Sequence, residues 1–157
     1  MAKIGIFCGL SGPGPVKVAE FYADNYLIVA DLSALPVAAA TLEAMPRSAT
    51  GDAFFEITSA GDAQDIDAPD DVRLHWLIHA DMYAASAQLI DAVQAWDWPD
   101  GIVQTCIAGE STVIKALRSY IVNVKDGEKR DCYILGYWKL GLIEDEHQQM
   151  KRAETAA

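Results

Sequence analysis

The stretch "YLIVADLSALPVAAATLEAM" (residues 26–45) constrains the fold more than any other part of the chain. It opens as an unbroken apolar run of the kind found in strands covered on both faces. Without a spacer it then passes into a segment whose apolar positions recur at helical spacing. Ser33 stands where a helix N-cap belongs, so residues 33–45 are expected as a helix. Strand, tight turn and helix make half of a βαβ unit.

The same alternation runs through the rest of the chain. "DAFFEIT" (52–58) and "VRLHWLI" (72–78) read as strands flanking the acidic loop "SAGDAQDIDAPDD". They are followed by a helix over 83–96, a strand "IVQTCIA" (102–108), a helix "STVIKALRSYIV" capped by Ser111 or Thr112, and a strand "DCYILGY" (131–137). "KIGIFC" (3–8) reads as a further strand entering the loop "GLSGPGP", and "EDEHQQMKRAE" as a closing polar helix. The expected class is α/β, a mostly parallel sheet flanked by helices. Ligands of such sheets sit beyond the carboxyl ends of the strands, at a topological switch point. That singles out the loops 31–36, 58–61, 79–81, 108–112 and 137–141.

At 157 residues and 52% hydrophobic content the chain suffices for a packed core. Cys8, Cys106 and Cys132 are odd in number and far apart, so they read as buried thiols rather than as a disulfide framework. Neither a bilayer-crossing run nor a signal peptide is legible, and the expectation is a cytoplasmic protein without membrane insertion. A net charge of -11 argues against nucleic acid. The charge is uneven, however. Residues 1–114 carry 4 basic and 16 acidic side chains, and residues 115–157 carry 8 and 7, so an anion is expected to meet the last third.

Candidate constellations divide between functional and structural readings. "GLSGPGP" matches neither GxGxxG nor GxxxxGK[ST] and reads as a turn. The 31–36 turn offers a helix N-terminus to a pyrophosphate, with Ser33 donating, although capping explains Ser33 equally well. Asp31 is an odd acid for such a place. Glu110 suits a helix start through the dipole, and Ser111 lies in no GxSxG frame. His75 and His79 are four apart but belong to a strand, and His147 sits in a polar helix start, so no metal is expected. Lys139, beside Trp138, places an ammonium and an aromatic face at the site edge, which suits an anion or a flat conjugated ring. Packing of Trp138 on the closing helix is the competing reading.

Taken in order, residues 26–46, "AFFEI", "RLHWLIH", "CIAGESTVIKALRSYI" and "YILGYWKLGLIEDEH" resemble the siderophore-interacting protein family. These are flavin-dependent ferric-siderophore reductases of the ferredoxin reductase-like superfamily. The resemblance covers nearly the whole chain. It implies that residues 25–157 form an NAD(P)H-binding domain, and that residues 1–24 are the end and linker of an otherwise missing FAD-binding β-barrel. By the same resemblance Asp31, Ser33, Ala34, Leu35, Pro36, His79, Gly109, Glu110, Ser111, Tyr137 and Trp138 meet the cofactors. Lys139, Lys115 and Arg118 would meet the ferric siderophore.

The implied chemistry moves a hydride from NADPH or NADH to FAD and then single electrons to iron, with no catalytic side chain in this chain. Where the family commonly has a basic residue after "WL", this chain has Ile78 and His79, which leaves the choice between NADH and NADPH open. Two rivals stand beside this reading: a binding or docking module without catalysis, and a flavodoxin-like electron carrier. The latter is disfavoured by the lack of a Ser/Thr-rich phosphate loop after "KIGIF".

Overall fold

The computed structural model describes residues 20–142. The expected strand at 3–8, its loop, Cys8, His147 and the closing helix lie outside the described residues. Five strands form one sheet in the order β3-β2-β1-β4-β5: β1 (Asn25–Asp31), β2 (Thr50–Ile57), β3 (Asp71–Ile78), β4 (Val103–Glu110) and β5 (Cys132–Trp138). Every pairing is parallel. The expected α/β class, a parallel sheet flanked by helices, is therefore what the chain adopts.

Alternation along the strands builds two cores, one on each face. Ile28 and Ala30 of β1, Ala53 and Phe55 of β2, and Cys106 and Ala108 of β4 meet Leu35, Ala38 and Leu42 of helix α1 (Leu35–Ala44). The intervening Leu27, Val29, Phe54 and Ile107 meet Leu89 and Val93 of α2 (Gln88–Ala95) and Ile114, Leu117 and Ile121 of α3 (Ser111–Asn123). β1 is covered on both sides, which is why its sequence is a continuous apolar run.

Helix starts differ from expectation in three places, each for a local reason. Ser33 does not cap α1: its hydroxyl donates to Asp31 Oδ1 at 2.5 Å, Ala34 takes the N-cap position, and Pro36 occupies the first turn, where its missing N–H costs nothing. α2 starts at Gln88 rather than 83, because Tyr83 N–H turns back to Asp81 Oδ1 (3.0 Å) and the Ser86 hydroxyl is drawn to the Glu56 carboxylate. α3 is capped by Glu110 rather than by Ser111 or Thr112. The Glu110 carboxylate accepts from Thr112 N–H (2.6 Å) and Val113 N–H (3.0 Å), while Ser111 is buried as the first helical residue.

Outside the cleft region, Asp52 forms a buried knot. It accepts from Arg73 Nη2 (2.7 Å) and Trp96 Nε1 (2.8 Å), and His75 Nε2 lies 2.6 Å away, tying β2, β3 and the end of α2 together. Burial alone would raise the Asp52 carboxyl, but these hydrogen bonds outweigh it and hold it below the ordinary carboxylate range. No described helix is long and apolar enough to cross a membrane.

Candidate functional site: the cleft at the switch point

The connection pattern reverses between β1 and β4: β2 and β3 follow on one side of β1, and β4 and β5 on the other. Beyond the carboxyl ends of these strands, on the face covered by α2 and α3, lies a cleft of about 580 Å³. The position is the one that doubly wound sheets use for ligands. Each of the five expected loops contributes to its wall: Asp31 at the end of β1 and Ser33 just beyond it, Thr58 after β2, His79 after β3, Gly109 and Glu110 at the end of β4, and Trp138 at the end of β5. The helices and the loop between β3 and α2 complete it with Met82, Leu89, Ile90, Val113 and Ile114, so the interior is mainly apolar with a few polar groups.

At the centre stands the Asp31 carboxylate, 8% exposed. Oδ1 accepts from Ser33 N–H (2.9 Å), Ser33 Oγ–H (2.5 Å) and Ala34 N–H (3.2 Å). Oδ2 accepts from Glu110 N–H (2.8 Å) and Trp138 Nε1–H (2.7 Å). One side chain thus joins the ends of β1, β4 and β5. The join requires glycine at 109. Its φ of +150° is rarely adopted by other residues, and a Cβ there would come within 2.5 Å of Asp31 Oδ2. Gly136 does the same for α3, since a Cβ on it would meet Ser111 Oγ at 2.5 Å.

The N–H groups that would greet an anion are already engaged. Asp31 takes those of the β1 turn, and Glu110 takes those at the start of α3 while also accepting from Leu140 N–H at 3.2 Å. The loop after β2 follows suit. Asp62 accepts from Thr58 Oγ1–H (2.6 Å) and from Ser59 N–H (2.8 Å) and Oγ–H (3.1 Å), and the Thr58 and Ser59 donors keep its carboxyl below the ordinary range.

The remaining sequence-derived candidates fall in different surroundings. Ala34 and Leu35 are buried in the α1 core, with Pro36 in the first turn of α1. Tyr137 packs toward that same face, its hydroxyl 3.4 Å from that of Tyr133, so Tyr137 and Trp138 serve opposite faces of β5. Lys139 follows Trp138 at the cleft rim and is half-buried. Lys115 is exposed on α3, and the Arg118 guanidinium donates to the Ile134 carbonyl of β5. His79 Nε2 lies 3.2 Å from the Ala84 carbonyl, an acceptor that requires hydrogen on that nitrogen. Among the described residues no three His, Cys, Asp or Glu side chains gather as a metal site.

Sequence reading passed over Glu56, Met82, Ser86, Leu89 and Ile90. Glu56 carried a signal, an acid ending the second strand, where doubly wound folds hold a ribose. Ser86, Leu89 and Ile90 come from a stretch expected to be helix, and Met82 lies just before it.

The family model described as "Siderophore-interacting protein" matches residues 23–141. Ferric vibriobactin reductase of Vibrio cholerae is 31% identical over 150 residues, 94% of this chain and 55% of that protein. Among solved structures, a siderophore utilization protein from T. fusca is 33% identical, with a TM-score of 0.72 over 79% of this chain and 48% of that one. The siderophore-interacting protein of Acinetobacter baumannii shares the fold at 22% identity, with a TM-score of 0.81 over 92% and 58%. The chain spans about half the length of the curated relatives it matches.

Proposed function

The chain belongs to the siderophore-interacting protein family, and on that premise we propose that it is the NAD(P)H-binding domain of a flavin-dependent ferric-siderophore reductase. The observation that carries the reading is the cleft itself. It opens at the β1/β4 switch point of a 3-2-1-4-5 parallel sheet, with a volume suited to most of a dinucleotide and apolar walls broken by a few polar groups. The V. cholerae relative's name, a ferric-siderophore reductase, supports the substrate class.

In this reading Gly109, Glu110 and Trp138 would hold the nicotinamide end, and Ser33, Thr58 and His79 the ribose and its neighbours. A barrel domain would hold the flavin, which Trp138 would border from this side. The two cofactors supply redox chemistry that turns a two-electron donor into single electrons for Fe(III), which leaves the siderophore as Fe(II), a poorer match for hard oxygen ligands. The chain's own residues bind, orient and exclude water. Asp31 holds the Trp138 indole in place, and Lys139 at the rim draws in the anionic ferric complex.

The test is reconstitution. The purified chain is expected to be colourless, to bind a nicotinamide dinucleotide, and to support reduction of a ferric catecholate only after a family barrel domain loaded with FAD is added. Lys139→Ala is then expected to raise KM for the ferric complex and to lessen its salt dependence, with kcat little changed. A chain that binds no dinucleotide, or an unchanged KM, sinks the respective assignment.

A further inference from the structure

Resting on the nucleotide reading above, we propose that the cleft is built for a dinucleotide with a free adenosine 2′-hydroxyl, NADH rather than NADPH, and that Glu56 is the acceptor for that ribose. Glu56 is the penultimate residue of β2, and its carboxylate lines the cleft, held by the Ser86 hydroxyl from the loop before α2. An acid at the end of the second strand of a doubly wound sheet is placed to accept from ribose hydroxyls. Ser86 supplies only one donor to Glu56, so acceptor capacity remains for a ribose.

A 2′-phosphate would meet the opposite conditions. It adds roughly 1.5 to 2 negative charges, as phosphate esters do near neutral pH. The described lining carries three carboxylates, Asp31, Glu56 and Glu110, and neither lysine nor arginine. Next to Glu56 the β2 loop has the short polar donors that a phosphate would use, the Thr58 and Ser59 hydroxyls and the Ser59 N–H, but Asp62 already accepts from all three. The donors that a phosphate would need there are already taken by the protein's own carboxylate. Lys139 lies at the β5 end, three strand spacings from β2, roughly 14 Å across the sheet, and so serves the other flank of the cleft. His79 points its Nε2–H at the Ala84 carbonyl.

The experiment is titration of the 157-residue chain with NADH and with NADPH, followed by isothermal calorimetry and by intrinsic tryptophan fluorescence, at two salt concentrations. NADH is expected to bind at least about tenfold more tightly. Glu56→Gln is expected to weaken NADH about fivefold while leaving NADPH equal or improved, so that the ratio narrows. Circular dichroism melting shows that the variant is folded. NADPH binding as tightly as NADH, or a Glu56→Gln ratio equal to that of the wild type in a folded protein, overturns this inference and leaves the nucleotide reading standing. Failure of both dinucleotides to bind at millimolar concentration overturns both.

Discussion

Replacing Asp31 with Asn isolates the central hydrogen-bond hub while keeping its shape. An amide oxygen can still accept from Ser33 and Ala34, but the amide nitrogen then faces two donors, Glu110 N–H and Trp138 Nε1–H, at places where the carboxylate accepts at 2.8 and 2.7 Å. Hydrogen bonds to a charged group contribute about 1.5–3 kcal/mol each. Two are lost, and the adjoining cleft admits water that recovers part of the loss, so the expected cost is about 3 kcal/mol. In a domain of this size that corresponds to a fall in Tm of roughly 6–12 °C. Urea unfolding followed by circular dichroism measures the free energy. A cycle with Trp138→Phe, which removes only the indole N–H partner, should return a coupling of about 1–2 kcal/mol between the two positions. A variant within about 0.5 kcal/mol of wild type, or a coupling of zero, would refute the view that this carboxylate holds three strand ends together.

Three further outcomes follow from other residues. Gly109→Ala is expected to cost about 2–4 kcal/mol, since the new Cβ collides with Asp31 Oδ2 in a backbone conformation unsuited to alanine; denaturant melts check this. The folded-state pKa of Asp52 is lowered, so its contribution is present at neutral pH and is lost as pH falls through the folded value. Asp52→Asn should therefore lose about 2–3 kcal/mol near pH 7 and show a shallower acid limb in stability against pH. Burial pushes the Cys106 thiol up to about 11, against the lowering contact with the Thr41 hydroxyl, so iodoacetamide at pH 8 should leave Cys106 unmodified in the native protein and label it after unfolding, as read by peptide mass spectrometry.

The strands were legible because their signal is local. β1 and β4 are covered on both faces and so spell continuous apolar runs, and the turns that follow carry Ser, Gly and Glu where helices begin. The cleft's loops were legible for the same reason, since parallel strands fix which ends gather. The exchange of partners within those loops was hidden. Ser33 looks like a cap, yet its hydroxyl answers to Asp31 two residues earlier, because that carboxylate also serves β4 and β5, residues 79 and 107 positions away. Ser86 likewise reads as helix, and only the arrival of Glu56 from β2, thirty residues upstream, explains why α2 starts late. Side chains that settle long-range accounts leave no periodicity behind.

α1 and α3 lie against opposite faces of the sheet and touch different cores, yet the first turn of each sits within a bond or two of the same carboxylate. The two helices on opposite faces thus share one anchor at the rim of the cleft, the carboxylate that also holds the Trp138 indole.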